Sequence, residues 1–257
     1  MAFAGTMLFR VRSWRRVLRF AGVATAALLS PSTYQQATRE FAVRQIYYTA
    51  WEVLPGYLLF SGLLSLVIIE IVLNTARKYG LAQYSLELVL RVLVLEVLPF
   101  LTALFVALRS GAAIGAEIAL MTVKGEIQDS AEAGESPLHR ELVPRIAGAA
   151  LSVASLTTLS CALATWLAYT AMYGFSTLGE DEFSLVVANV FAPQILIGLV
   201  LKCVVFGMAV ALIPVATGLE AERDDLGSAP SAVLGGLMKL FFVIGVIQIL
   251  SLVYKYI

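Results

Sequence analysis

Charge, histidine and cysteine are scarce in this sequence, and each scarcity excludes a class of protein. Only 14% of the 257 residues are charged, against about 25% in a typical soluble domain. The single histidine, His139, cannot supply the clustered ligands of an intramembrane metalloprotease or a base for the serines of apolar segments. A glycine-rich phosphate loop is also missing, so the chain is not expected to hydrolyse ATP by the usual means. We therefore expect no catalytic residue, no metal site and no cofactor held by this chain.

The two cysteines and the charge balance narrow the functional classes further. Cys161 and Cys203 both fall inside apolar runs, which favours packing roles over a disulfide or a metal pair. The formal net charge is zero, so the charge balance does not suggest binding to nucleic acid.

Long apolar runs dominate the rest of the sequence. Several stretches of 17 or more residues carry no charge, and such a length spans a bilayer as a helix. The runs are continuous rather than alternating, which indicates helices and not a barrel. We predict an all-α integral membrane protein with polar or acidic loops at 74–85 and 176–184. The five predicted transmembrane helices lie at about residues 50–73, 87–121, 144–172, 185–217 and 230–254.

The region before the first span has a different pattern. Apolar residues recur at helical spacing over residues 7–29, and arginines gather on the opposite side of that helix. A basic amphipathic helix of this kind lies in the membrane interface. A signal peptide is the alternative interpretation, because a basic start precedes a short apolar run. We expect residues 1–46 to form interfacial, amphipathic helices and residues 47–257 to form the five-span domain.

Lysine and arginine are distributed unevenly around the predicted spans. Seven arginines precede the first span, whereas the loop between the third and fourth spans contains neither residue. Positive residues favour the cytoplasmic side of a membrane. The distribution predicts a cytoplasmic N-terminus, cytoplasmic loops after spans two and four, and a C-terminus on the outer side.

Four charged residues inside the spans stand out: Glu96, Arg109, Glu117 and Lys202. Intramembrane charges are costly and usually face a bundle interior, a cavity or each other. Glu96 and Arg109 are thirteen residues apart, nearly four helical turns, so they cannot pair within one helix. We expect each to meet another helix or an end of a cavity. They either shape a substrate path or pair with neighbouring helices to fix the packing.

Small residues recur in the second span. Gly111 and Gly115 stand four residues apart, with Ala112 and Ala116 alongside. This pattern lets two membrane helices approach closely. It predicts tight helix packing and assigns no function by itself.

A dense polar segment, GEIQDSAEAGESPLHRELVPR, separates the second span from the third. Helix-favouring residues continue from the span end and are stopped by Gly134. Glu126, Asp129 and Glu132 recur at three-residue spacing, which places the acids on one side of a short helix, while Ile127 lies off that side. Such a helix can fit a groove on a soluble partner with basic residues. An ordinary solvated loop is the alternative.

The sequence resembles the MlaE/YrbE permeases in two blocks, LEVLPFLTALFVALRSGAAIGAEIALMTVKGEIQDSAEAGESPLHRELVPR and LIGLVLKCVVFGMAVALIPVATGLEA. The positions that match the first signature are Glu96, Pro99, Arg109, Gly111, Ala112, Ala116, Glu117, Met121, Glu126, Gly134, Pro137, Pro144 and Arg145. Those that match the second are Lys202, Phe206, Gly207 and Gly218. The sequence departs from the family pattern at Leu95, Leu98, Ile127 and Ser136, which indicates a divergent branch.

The resemblance implies a homodimeric permease in the bacterial inner membrane, within an ABC transporter that moves phospholipid. It implies a cytoplasmic ATPase dimer that binds ATP and Mg, and a periplasmic hexamer of MCE subunits. Residues 124–134 would then be the coupling helix, with Glu126, Asp129 and Glu132 as docking residues. The alternatives are an importer of sterols or other hydrophobic compounds on the same scaffold, and a membrane carrier or scaffold that works without an ATPase.

A lipid permease needs an apolar cavity, and the first span suggests part of its lining. We predict that long side chains of this span face a cavity where two protomers meet, with Glu96 near one end. The residues in this prediction are Leu59, Leu63, Leu66 and Val67. The alternative is that these side chains face bilayer lipid.

Overall fold

The computed structural model describes residues 54–132, 142–176, 179–221, 225 and 227–256. These ranges are helical apart from short connections, and they contain no strand. Their helices are α1 Leu54–Lys78, α2 Ala82–Val89, π1 Leu90–Val97, α3 Leu98–Val106, π2 Ala107–Gly111, α4 Ala112–Val123, α5 Glu126–Glu132, α6 Val143–Tyr173, α7 Glu180–Val190, α8 Pro193–Gly218 and α9 Ser228–Tyr256. The predicted N-terminal region 1–46, with its amphipathic helix at 7–29, lies outside the described residues.

Five of the described helical stretches are long and apolar enough to cross a membrane. They are Leu54–Lys78, Tyr84–Val123, Arg145–Tyr173, Pro193–Gly218 and Ser228–Lys255. The second stretch runs without interruption through α2, π1, α3, π2 and α4. The prediction of an all-α integral membrane protein with five transmembrane helices is therefore confirmed.

The predicted loop at 74–85 is wrong for most of its length. Helix α1 continues to Lys78, and α2 begins at Ala82. The polar residues of this segment suit a helix end, because Arg77 and Lys78 lie beside the negative end of the α1 dipole. Gly80, with φ 71°, makes the turn. The connection between the first two spans is therefore tighter than the polar sequence indicated.

The fourth span is also shorter than predicted. The structure divides residues 180–218 into α7 and α8, with a turn at Phe191 and Ala192. Ala192 has φ −50° and ψ 146°, the extended conformation favoured before a proline, and Pro193 opens α8. The predicted acidic loop at 176–184 is wrong from Glu180 onward. Its acids form the first turn of α7, where negative charge interacts favourably with the helix dipole.

Helix α8 is packed between α6 and α9 and also contacts α4. Glycines bring these helices together. A Cβ at Gly111 would lie 3.3 Å from Pro214 Cγ of α8, and a Cβ at Gly115 would lie 3.5 Å from Pro214 Cβ. Two turns earlier on α8, a Cβ at Gly207 would lie 2.9 Å from the Ala150 carbonyl oxygen of α6. The predicted close packing at the Gly111 and Gly115 face is confirmed, and α8 is its partner.

Candidate functional site

A buried polar cluster lies where π1, α8 and α9 meet. Glu96 accepts hydrogen bonds from Lys202 Nζ at 2.5 Å, Lys255 Nζ at 3.0 Å and Gln248 Nε2 at 3.2 Å. The Glu96 and Lys202 side chains are only 7% and 5% exposed, whereas that of Lys255 is 24% exposed. The expectation that Glu96 meets another helix is confirmed, since it contacts two.

The irregular helix around Glu96 contributes to its placement. Residues Leu90–Val97 form a π-helical segment, in which hydrogen bonds reach one residue further than in an α-helix and the side-chain register is shifted. The Cys161 thiol of α6 lies within bonding distance, 3.3 Å, of the Val94 carbonyl oxygen and donates to it. This contact fastens π1 to α6 while Glu96 points toward α8 and α9. Such segments often occur at functional sites.

The cluster lies in a groove of about 500 Å³. Its walls are mostly apolar and include Leu199 and Val205 of α8 and Leu250 of α9. Glu96, Lys202 and Lys255 also line the groove, so two cations face one carboxylate. The groove therefore combines apolar walls with a polar end where two of the described side chains are cationic and one is anionic, which suits a molecule with a hydrocarbon part and an anionic group.

Gln248 and Lys255 were not identified from the sequence. They are seven residues apart on α9, which places them on the same side of the helix. This spacing of two polar residues in an otherwise apolar helix was a usable signal. The Gln248 side-chain oxygen is buried and finds no hydrogen-bond partner among the described residues.

The predicted cavity residues of the first span lie on an outer surface of the chain. Leu59, Leu63, Leu66 and Val67 are 68%, 58%, 37% and 56% exposed. Among the described residues that line the groove at Glu96, none comes from α1. Within one chain, the four α1 residues and Glu96 therefore do not line the same groove. Their assignment to a cavity between protomers stays a prediction.

The other predicted intramembrane charges lie further along the second span. Arg109 is exposed and belongs to π2; thirteen residues of helix place it about 20 Å from Glu96. Glu117 of α4 accepts a hydrogen bond from Arg145 Nε of α6 at 3.1 Å. The structure therefore brings Glu96 and Lys202 together and leaves Arg109 and Glu117 outside that cluster.

The polar segment after the second span contains a short helix, as the sequence pattern indicated. Gly125, with φ 80°, turns the chain into α5. Glu126, Asp129 and Glu132 are exposed, whereas Ile127 packs against a buried cluster that includes Ile146 of α6. The acids and the apolar anchor therefore lie on different sides of the helix. Docking of the acids on a partner remains a prediction.

Comparison with known protein families agrees with this architecture. The family described as Permease MlaE matches residues 42–253, a range that includes α1 to α8 and most of α9. It contains Glu96, Lys202 and Gln248, as well as the short helix α5. Because the match extends over well above half of the sequence, this chain belongs to the MlaE permease family.

Proposed function

We propose that this chain is the membrane permease subunit of an ABC transporter that moves phospholipid between the inner membrane and a periplasmic MCE protein. The family and the five candidate spans make the chain a multi-pass membrane protein of a permease family for ABC lipid transport. The observation that carries the choice of phospholipid is the groove at Glu96. The proposed assembly contains two copies of this chain.

The charges of the groove favour a phospholipid over a sterol. Among the described residues that line the groove, Lys202 and Lys255 supply two ammonium groups and Glu96 supplies one carboxylate. A phosphate group would complement these cations and accept hydrogen bonds from an ammonium group, whereas a sterol hydroxyl carries no charge. The apolar walls would contact the acyl chains.

Helix α5 supplies the proposed contact with the ATPase. Its acids are exposed and can meet basic residues of a partner groove. Ile127 fastens the helix to the membrane bundle, so a displacement of α5 acts on α6 and α8. In this proposal an ATPase dimer below the membrane binds ATP and Mg²⁺, and the N-terminus of this chain lies on the same, cytoplasmic side.

Reconstitution tests this function. The full-length chain, purified from its native membrane, is expected to bring down an ATPase and an MCE protein. In liposomes, this complex should move a fluorescent phospholipid only when ATP and Mg²⁺ are present. ATP-dependent movement of a fluorescent sterol but not of phospholipid would replace the proposed substrate, and lipid movement by the isolated chain would contradict the ABC mechanism.

Charge reversal in α5 tests the docking surface. The double substitution E126K/D129K should weaken ATPase binding by about tenfold or more, which corresponds to at least about 1.4 kcal/mol, because both acids are exposed. The matched control is E180K/D181K, which reverses two exposed acids on α7. If the α5 variant retains the ATPase as well as the α7 variant in a pull-down, these acids are not the docking residues.

A further inference from the structure

A second groove lies on another side of α8, away from the Glu96 cluster. It has a volume of about 750 Å³ and runs between α6 and α8. Phe183 of α7 and Phe191 of the following turn also line it. Leu199 lines this groove and also the groove at Glu96, so this side chain belongs to the wall between them. The function proposed above does not use this second groove.

The position of the groove within the spans defines its two ends. Its lining follows α6 from Ala154 to Tyr169, fifteen residues or about 22 Å. Tyr169 lies four residues from the end of the candidate span at Tyr173, whereas Ala154 lies nine residues from its start at Arg145. The groove therefore begins near a membrane surface and extends about five residues past the middle of the span.

The lining offers almost nothing to a polar ligand. The hydroxyls of Thr158 and Thr165 donate to the carbonyl oxygens of Ala154 and Cys161 in their own helix, at 2.9 and 2.7 Å. The Tyr169 hydroxyl, at the surface end, donates to the Ser176 carbonyl oxygen. These donors are already used, and Thr157, which also lines the groove, is only 1% exposed, so the long middle part of the groove presents mostly apolar atoms. A hydrocarbon is the chemistry that fits it.

Size distinguishes between two apolar occupants. A transmembrane helix 10–12 Å in diameter occupies roughly 1,700–2,500 Å³ over a length of 22 Å, more than this groove can enclose, so a helix could lie in it only in part. An acyl chain crosses half of the hydrocarbon core, about 15 Å, and so fits within the length. The aromatic residues Trp166 and Tyr169 lie at the surface end, where such side chains are enriched beside headgroups.

We propose that this groove binds one acyl chain of a bilayer phospholipid, with the headgroup at the α7 end and the tail directed toward Ala154. The bound lipid is separate from any lipid in the groove at Glu96. Its binding needs neither an ATPase nor transport, so this proposal and the proposed function can fail independently.

Filling the groove provides the first test. Ala162 lines the groove and is exposed, and Ala113 of α4 is an exposed alanine outside it. Native mass spectrometry of the full-length protein counts the phospholipids that remain after detergent extraction. A162W should retain one phospholipid fewer per chain than the wild type, and A113W should retain the same number. An unchanged lipid count in A162W would overturn the proposal. A change in oligomeric state without loss of lipid would also overturn it, because a second copy of the chain, and not a lipid, would then occupy the groove.

Fluorescence gives a second test that does not depend on a bulky substitution. The chain has three tryptophans, so W14F/W51F leaves Trp166, which is 54% exposed, as the only tryptophan, whose emission is excited selectively over that of tyrosine. A phospholipid brominated in its acyl chains is titrated into this variant in detergent. Quenching of Trp166 should saturate near one lipid per chain, and the unbrominated lipid should reverse it by competition. Quenching that rises linearly without saturation would show collision with detergent-dissolved lipid and would refute the site.

Discussion

Removing the carboxylate of Glu96 should destabilise the membrane domain more than removing either lysine that binds it. Glu96 is the shared partner of Lys202 and Lys255. E96Q therefore leaves two cations without their carboxylate, and one of them is almost fully buried. In K202M, Glu96 keeps its hydrogen bonds from Lys255 and Gln248. In K255M, the shortest contact, between Lys202 and Glu96, stays intact.

The burial of each partner sets the expected magnitudes. Breaking a buried ion pair from one side costs about 3–5 kcal/mol, because the remaining charge loses its compensation, and we expect E96Q to fall in this range. K202M should cost about 2 kcal/mol, the value of one charged hydrogen bond, because Glu96 retains other donors. K255M should cost about 1 kcal/mol or less, since the Lys255 side chain is partly exposed.

Thermal unfolding of the detergent-purified variants measures this order. At about 2–4 °C per kcal/mol for a chain of this size, E96Q should melt about 10 °C below the wild type. The double variant E96Q/K202M should recover part of the loss, because no uncompensated charge then remains at Lys202. Equal destabilisation by E96Q and K255M, or a double variant that is simply additive, would refute the assignment of Lys202 as the principal partner.

Three further predictions follow from the packing, the outer surface and the topology. G207A should lower the free energy of unfolding by about 1–3 kcal/mol, because its Cβ would lie 2.9 Å from the Ala150 carbonyl oxygen. The control is G198A on the same helix, where the space around the glycine is open. In thermal unfolding G198A should be neutral or stabilising. If Leu63 faces a hydrated cavity, L63R should leave the assembled complex in the membrane and reduce lipid transfer. If Leu63 faces bilayer lipid, the arginine costs roughly 2.5–3.5 kcal/mol and mainly lowers the amount of inserted protein. An assembled complex with normal lipid transfer would contradict the assignment of Leu63 to a cavity. A reporter that is active only in the cytoplasm should be silent when fused after Ile257, and activity of that fusion would contradict the outward C-terminus.

The sequence predicted the helices better than their ends. Predominantly apolar composition identified five spans, even where charged residues interrupt them, because the cost of exposing polar groups to lipid acts along the whole span. The ends depend on local chemistry, which the polarity pattern alone did not capture. The sequence contained a signal for the break before Pro193, namely the proline itself. The polar residues up to Lys78 continue α1, because polar side chains do not oppose a helix once the chain has left the hydrocarbon core.

The candidate site was predictable in part. A carboxylate inside an apolar span must find a partner, so the sequence could predict that Glu96 meets another helix. It could not identify that partner, because Lys202 lies 106 residues away and the contact depends on how the helices pack. The π-helical register of Leu90–Val97, which accompanies the orientation of Glu96, left no pattern that was recognised in the sequence.

Helix α8 connects the two regions that have a role in the proposed function. Its Leu212 lies in the buried cluster against which Ile127 of α5 packs, and its Lys202 binds Glu96 in the groove. These two positions are ten residues or about 15 Å apart on one helix, and Pro214 removes the hydrogen bond that the Val210 carbonyl oxygen between them would otherwise accept. Gly207, midway, approaches the backbone of α6 closely, so a shift of this segment would also affect α6. A displacement of α5 by the proposed ATPase would therefore reach the groove through α8.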